Sequence, residues 1–300
     1  MTRALAASLA IAGLALSTIL LAVPAAAQQS GRPQIATTKV EGTDNVYIFR
    51  NGFHQSMFVV TPEGVIATDP VAYGRPTGGQ AYLDEIRKVT DKPVKYLIYS
   101  HHHFDHIAGG RAFKEAGAVV VAHRRAAERL AVLKDPHTVL PDEVVGDQGR
   151  TITLGGTAVE LSFHGLNHSD SNLVIRLPKE RIVFIVDTIP VGQVPGRGMI
   201  DFYPLEAENF IREVLAMDWD RLIPGHPGVG DRLGTKKDAQ DQLELLQAAS
   251  AEMKRLAQDG KCWEPAENEF KLGAYSAWPG YAAGLPFIAR RYCGLWGRGT

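Results

Sequence analysis

Short apolar runs, bounded by glycine, proline and polar residues, predict a first region in which strands alternate with helices. Its predicted strands are Val46–Phe49, Met57–Val60, Val65–Thr68, Val94–Tyr99 and Ala118–Ala122. Its predicted helices, from the spacing of their apolar residues, are Gly78–Thr90, Ile107–Ala116 and His123–Leu133. This alternation indicates a sheet covered by helices.

A second region follows the polar connection Pro136–Gly149 and repeats the same general order. Its predicted strands are Thr151–Leu154, Ala158–Phe163, Leu173–Leu177, Arg181–Val186 and Arg221–Ile223. A loop at Pro190–Pro204, a helix at Leu205–Met217 and a long amphipathic helix at Thr235–Ala257 complete the pattern, before an aromatic tail. The chain therefore predicts two similar halves that face each other.

The first 27 residues predict a signal peptide rather than part of the fold. Arg3 precedes an apolar run, Ala4–Val23, and three alanines precede Gln28. We expect cleavage after Ala27 and a periplasmic or secreted mature protein; an uncleaved membrane anchor is the alternative. No later run is long and apolar enough to cross a bilayer, so we expect no stable membrane insertion after cleavage.

Composition excludes several classes of protein. Hydrophobic residues make up 45% and charged residues 22% of the chain, which is typical of a globular protein. The 32 Lys and Arg residues nearly balance the 33 Asp and Glu residues, which disfavours a nucleic-acid partner and leaves a small-molecule substrate. The two cysteines, Cys262 and Cys293, are expected to form a disulfide in an oxidising compartment, or else to be buried free thiols. The oligomeric state stays undetermined.

A histidine-rich segment, Ser100–His106, follows the predicted strand Val94–Tyr99 directly. In extended backbone, alternate residues point the same way, so His101 and His103 face one side and His102 faces the other. Asp105 and His106 come next, at the turn into a helix. This density of ligand-type side chains predicts a metal site; a solvated histidine-rich loop is the alternative.

The pattern His101-x-His103-x-Asp105-His106 resembles the signature of the metallo-β-lactamase superfamily. Four further motifs of that family match in order, namely Asp69 and Asp187, each at the end of a strand, His168 in a loop before a strand, and His226 in a Pro-Gly-His turn. The resemblance spans residues 69–226. It implies an α/β (α+β) fold, a four-layer αββα sandwich over residues 28–232, with residues 233–300 as a helical and aromatic extension packed on it.

The resemblance also implies a site with two zinc ions, for which iron or manganese are alternatives. It assigns His101, His103 and His168 to the first metal, Asp105, His106 and His226 to the second, and Asp187 to both. Two cations that share one water lower its pKa and supply a hydroxide nucleophile. Asp105 is expected to orient that nucleophile, so Asp105 and Asp187 are the catalytic candidates. Asp69 is expected to hold a ligand loop by hydrogen bonds.

Four residues are weaker candidates for lining the substrate: His54, His164, Arg197 and Tyr203. For each of them a structural or solvent-exposed role is the alternative. The remaining histidines His102, His123 and His137 are expected to lie outside the site.

The resemblance implies a zinc-dependent hydrolase that cleaves an ester, lactone, thioester or β-lactam bond of a small molecule. Asp187 disfavours a β-lactamase proper, since those members typically carry cysteine or serine at that place. A mononuclear iron oxygenase acting on persulfides is a further alternative, because two histidines and one carboxylate suit non-haem iron. The last alternative is a protein that binds metal but does not catalyse a reaction.

Overall fold

Two β-sheets lie face to face, and helices cover the outer face of each. The computed structural model describes residues 34–300, which form one compact unit. The predicted signal peptide, residues 1–27, lies outside the described residues.

The first sheet has seven strands arranged in chain order. They are β1 Ile35–Lys39, β2 Val46–Asn51, β3 His54–Thr61, β4 Gly64–Thr68, β5 Val94–Ile98, β6 Val119–His123 and β7 Glu143–Val145. Strands β1 to β4 are antiparallel neighbours, whereas β4 to β7 are parallel and are joined through helices. The covering helices are α1 Gly78–Val89, α2 Phe104–Ile107, α3 Gly110–Glu115 and α4 Arg124–Leu133.

The second sheet has five strands in the order β12-β11-β10-β9-β8. They are β8 Arg150–Leu154, β9 Thr157–Phe163, β10 Leu173–Leu177, β11 Ile182–Ile185 and β12 Arg221–Pro224. Its covering helices are α5 Pro204–Ala216, α6 Lys236–Gln258, α7 Glu264–Glu269 and α8 Tyr281–Arg298. Short 3-10 helices lie at Arg197–Asp201, Val229–Asp231 and Gly273–Tyr275.

Alternation along the strands divides the apolar core into three layers. In β4, Ile66 packs between the sheets, while Val65 and Ala67 pack against the helices of the first sheet. In β11, Phe184 packs between the sheets and Val183 packs against α5, α6 and α8. Both strands are therefore buried on both faces, and the predicted four-layer αββα sandwich is confirmed.

The structure differs from the predicted elements in four places. The helix predicted at Ile107–Ala116 is broken, because Gly109 has a φ of +95° that ends α2 and begins α3. The predicted connection Pro136–Gly149 contains the short strand β7, and β1 precedes the first predicted strand. The aromatic tail contains α8, whose internal Pro286 hides the helical pattern.

The predicted disulfide is absent, and both cysteines of the described chain are free thiols. Cys293 is buried on α8, and its Sγ accepts a hydrogen bond from the backbone N–H of Trp263 at 3.2 Å. The Sγ of Cys262 lies 4.0 Å from the carbonyl oxygen of Cys293. A disulfide requires the two sulfur atoms to lie about 2.05 Å apart, so the cysteines pack against each other without a covalent bond.

Within residues 34–300, no helix combines the length and the apolar character that a membrane crossing requires.

Candidate metal centre

The residues of the predicted metal site follow the carboxyl ends of strands in both sheets. Asp69 follows β4 and the segment Ser100–His106 follows β5; these strands are parallel neighbours. In the second sheet Asp187 follows β11 and His226 follows β12, which are also parallel. Carboxyl ends of parallel strands meet at one sheet edge, and the facing edges of the two sheets bring these loops together.

The first cluster, defined as His101, His103, His168 and Asp187, is largely buried. One ligand-type atom from each of the four residues lies within 4.8 Å of the others. His168 Nε2 lies 2.9 Å from His103 Nδ1 and 3.2 Å from Asp187 Oδ2. His101 Nε2 lies 3.6 Å from the same carboxylate oxygen. Three imidazoles thus converge on one carboxylate.

The second cluster, defined as His54, Asp105, His106 and His226, meets the same distance limit of 4.8 Å. Asp105 Oδ2 lies 3.2 Å from His54 Nε2 and 3.6 Å from His106 Nε2. The rings of His54 and His226 have their centroids 4.6 Å apart. Beside this cluster, a Cβ on Gly225 would lie 3.0 Å from His106 Cε1 and 2.5 Å from a methyl group of Val186. Only glycine at that position lets the His226 turn approach His106 so closely.

Asp187 contacts both clusters. Its Oδ2 lies 3.1 Å from His106 Nε2 as well as close to His101 and His168, and its Oδ1 lies 3.0 Å from His226 Nε2. The backbone of Asp187 has a φ of +63°, a left-handed conformation that aspartate adopts more readily than most residues. This turn at the end of β11 points the carboxylate between the two clusters.

Asp69 and Ser100 hold the histidine segment from behind. Both residues are fully buried, and Asp69 accepts hydrogen bonds from Ser100 N at 2.8 Å and Ser100 Oγ at 2.6 Å. Ser100 Oγ also lies 2.9 Å from His101 Nδ1, and Asp69 Oδ2 lies 3.7 Å from His106 Nδ1. One buried carboxylate therefore supports a histidine of each cluster, a support that fixes ring orientation in metal sites.

Charges in the site shift several pKa values. Burial, reinforced by His103, lowers the pKa of His101 well below its ordinary value. Burial also acts to lower the pKa of His106, but the carboxylates, Asp187 above all, outweigh burial and raise it to about 9. Burial raises the pKa of Asp69 to about 6. The carboxylates around His106 thus favour positive charge beside Asp187, and a bound cation would supply that charge.

The buried donor atoms fit a metal ion. Within the described chain, His101 Nε2 and His106 Nε2 are buried without a partner that meets hydrogen-bond geometry, and both face Asp187 Oδ2, at 3.6 and 3.1 Å. Buried polar atoms are normally paired, so these need another partner. Imidazole nitrogen and carboxylate oxygen are the donors that zinc takes in catalytic sites.

The site also includes residues that the sequence patterns did not indicate. Asp201 is the last residue of the Arg197–Asp201 3-10 helix, and its Oδ2 lies 3.0 Å from His103 Nε2. Asn167 Oδ1 accepts hydrogen bonds from His168 N at 2.6 Å and Thr188 Oγ1 at 2.9 Å, which ties the His168 loop to the end of β11. Ser100 directly precedes His101, and Asn167 directly precedes His168. Their position beside candidate ligands was the only feature of the sequence that could have indicated their roles.

The structure separates the weaker candidates from one another. His54 joins the second cluster, whereas His164 contacts Glu213 and Ser162, each at 2.8 Å, and belongs to neither cluster. Arg197 is exposed at the start of its 3-10 helix. Tyr203 is half-buried, and its backbone N–H donates to Asn167 O at 2.7 Å.

The three histidines that were expected to lie outside the site, His102, His123 and His137, belong to neither cluster. His102 turns away from them, and its Nδ1 lies 2.8 Å from Ser171 Oγ. His123 stacks on Phe163 and pairs with Asp147 at 3.2 Å, and His137 meets the ring edge of Tyr73.

Comparison with known proteins identifies the relatives of this chain. It is 26% identical over 196 residues to the 2,4-dinitroanisole O-demethylase subunit alpha of Nocardioides sp. strain JS1661, covering 65% of this chain and 58% of that protein. It is 29% identical over 156 residues to a metallo-beta-lactamase type 2 of Bacillus sp. strain 170, covering 50% of this chain and 58% of that protein. The matches thus span less than two thirds of either relative.

A solved structure shows the same fold. The metallo-beta-lactamase from Pontibacter korlensis superposes with a TM-score of 0.63 at 23% identity, covering 71% of this chain and 99% of that one. The family model of the metallo-beta-lactamase superfamily matches residues 51–226, more than half of the chain. This match includes every residue of both clusters. Proteins with this fold are metal-dependent hydrolases, although some relatives are oxygenases or demethylases. The chain therefore belongs to the metallo-beta-lactamase superfamily.

Proposed function

We propose that this protein is a zinc-dependent hydrolase that uses a two-metal centre to cleave an ester, lactone, thioester or β-lactam bond of a small molecule. The observation that carries the proposal is the position of Asp187, whose Oδ1 lies 3.0 Å from His226 Nε2 of the second cluster and whose Oδ2 lies 3.2 Å from His168 Nε2 of the first. A carboxylate in that position serves two cations at once. The completeness of the second cluster also favours this proposal over a mononuclear iron oxygenase, which needs only one set of ligands.

Each cluster has a defined part in the proposed reaction. His101, His103 and His168 would hold one cation, and Asp105, His106 and His226 would hold the other, with Asp187 between them. When bound, the cations supply a hydroxide at neutral pH and polarise the oxygen of the bond that is attacked. Asp105 has a side chain 42% exposed, so it faces the side from which substrate arrives. We assign Asp105 to hold the attacking oxygen in line with that bond.

The surroundings of the clusters favour a substrate with an apolar part. Phe53 is 61% exposed, and its carbonyl oxygen accepts a hydrogen bond from His226 Nδ1 at 2.7 Å. Ile200 is 65% exposed and precedes Asp201, the partner of His103. We propose that these two exposed side chains, each next to a residue or backbone group that contacts a cluster, contact an apolar part of the substrate.

The named relatives set the range of substrates to test. One is named for demethylation of an aromatic ether and another for β-lactam hydrolysis, and neither name decides the substrate of this chain. The predicted signal peptide supports our further proposal that the protein acts in the periplasm or outside the cell. We propose that its partner is a small-molecule substrate found in the periplasm or outside the cell.

A hydrolysis panel on the zinc-loaded full chain tests this function. The panel consists of a chromogenic β-lactam, acyl lactones, aryl and alkyl esters and thioesters, with oxygen uptake on a persulfide as the oxygenase arm. We expect turnover of at least one ester-like substrate that is lost with a chelator and restored by zinc. Iron-dependent oxygen uptake without hydrolysis would contradict the proposal.

A further inference from the structure

We propose that His54 is a protein ligand of the second cation, in addition to Asp105, His106 and His226. This inference rests on the proposed function, because it concerns the same metal centre. The motifs that assign the other ligands do not include His54, which lies at the start of β3, before the first of them. With the shared Asp187 counted, His54 would give the second position five protein ligands against four at the first.

The turn that carries His54 is fixed to the turn that carries His226. Gln55 N donates to Gly225 O at 2.8 Å, and Gln55 Nε2 donates to Pro224 O at 2.8 Å. His226 Nδ1 in turn donates to the carbonyl oxygen of Phe53 at 2.7 Å. These three hydrogen bonds flank His54 on both sides in sequence. Hydrogen bonds between the start of β3 and the turn after β12 therefore hold the side chain of His54 at the second cluster.

Distances within the cluster match those between donors on one ion. Zinc binds nitrogen and oxygen at about 2.0–2.2 Å, so two donors on a tetrahedral ion lie about 3.3–3.5 Å apart. His54 Nε2 lies 3.2 Å from Asp105 Oδ2, and His106 Nε2 lies 3.6 Å from the same oxygen. His54 and His106 are thus equally well placed beside Asp105 to share an ion with it.

Apart from its contact with Asp105, the ring of His54 has only other histidines of the second cluster as ring neighbours. The side chain is only 16% exposed, and its Nδ1 is buried without a hydrogen-bond partner among residues 34–300. Its ring neighbours are two histidines, His106 and His226, with centroids at 5.4 and 4.6 Å. Three imidazoles packed this closely are unfavourable if protonated, and become favourable when they share one cation.

The consequence is an inequality between the two metal positions. With Asp187 counted, the first position has four protein ligands and His54 gives the second a fifth, a coordination number to which zinc can expand. One additional protein ligand must be displaced before the ion leaves the second position. We therefore assign tighter retention of metal to the second cluster, and attribute that retention to His54.

The test measures metal binding to the full chain by chelator competition and by stoichiometry, with zinc and with cobalt(II). We expect two equivalents on the unaltered protein. We expect His54→Ala and His54→Gln each to weaken one equivalent by at least about 10-fold, the lower range seen when supporting residues of metal sites are removed. The cobalt(II) absorption of that equivalent should change as well. His102→Ala, which alters a neighbouring histidine outside both clusters, should leave both equivalents unchanged.

The glutamine variant separates a ligand from a hydrogen-bond partner. Glutamine keeps a donor that reaches Asp105 but removes the imidazole, so wild-type affinity in His54→Gln would overturn the inference and leave His54 as a positioning residue. Unchanged affinity in His54→Ala would also overturn it. If the unaltered protein binds no metal, the proposed function itself fails and this inference falls with it, whereas two equivalents insensitive to His54 refute the inference alone. Circular dichroism confirms that each variant is folded.

Discussion

The two clusters of the metal centre differ in depth. In the first, the side chains of His101 and His168 are 0% and 3% exposed. In the second, Asp105 and His226 are 42% and 39% exposed. Both clusters use the same donor types and share Asp187, so chemistry alone does not distinguish them. The difference comes from the elements that cover them, since the Arg197–Asp201 3-10 helix lies over the first and a short hairpin turn lies beside the second.

The difference in exposure suggests that the two clusters have different roles in the proposed metal centre. The buried cluster is held by residues behind it, such as Asn167, and by Asp201 at its outer side. In the more exposed cluster Asp105 is 42% exposed. Our proposals assign Asp105 to the side that the substrate approaches and His54 to the retention of metal at this cluster. Variants that affect metal binding at both clusters, or at one cluster alone, test this difference.

Removal of the shared carboxylate should have the largest effect. We expect Asp187→Ala to bind less than one equivalent of metal tightly and to lose at least about 100-fold in hydrolysis rate, because Asp187 contacts histidines of both clusters. Metal analysis after gel filtration and the hydrolysis assay measure this. Retention of two equivalents in the variant would refute the bridging role.

The supporting carboxylate should have an intermediate effect on both clusters. Asp69→Asn keeps the size of the side chain but removes the charge that faces Ser100 and His106. We expect both metal equivalents to weaken by about 10-fold, the lower end of the range for residues that orient metal ligands. Chelator competition resolves the two equivalents. Weakening confined to one of them would contradict the shared support.

The smallest effect should come from Asp201, and only in the first cluster. Its side chain is 52% exposed beside His103, and an exposed ion pair contributes at most about 1 kcal/mol. We therefore expect Asp201→Asn to weaken the first equivalent by less than about 5-fold and to leave the second unchanged. The same competition assay reports both values. A loss at the second equivalent would contradict the separation of the clusters.

Most of the fold could be predicted from sequence because strands such as β4 and β11 are short, apolar and bounded by turn residues. The alternation of predicted strands and helices along the chain also matched the observed layers of sheet and helix. Elements without that signal were missed: β7 has only three residues, and α8 contains Pro286. The broken helix after His106 depends on the backbone angle of Gly109, which the apolar spacing does not report.

The site could be predicted as far as its ligands occupy recognisable motifs. His101, His103, His168 and Asp187 all do, so the first cluster was complete in the sequence. His54 was expected only to line the substrate, because its place beside Asp105 depends on pairing between the β3 turn and the His226 turn. Asp201 was missed for a similar reason, since a lone carboxylate in a loop gives no periodic signal. His164 and Cys262 show the converse. Sequence proximity suggested that His164 lines the site, and the expected compartment suggested a disulfide at Cys262, but the structure has neither.

The metal content of the purified full chain tests the central claim most directly. Inductively coupled plasma mass spectrometry on protein loaded with zinc and then freed of excess metal counts ions per chain. The account predicts two zinc ions per chain, which fall to less than one in Asp187→Ala. One ion or none on the unaltered protein would contradict the two-metal centre.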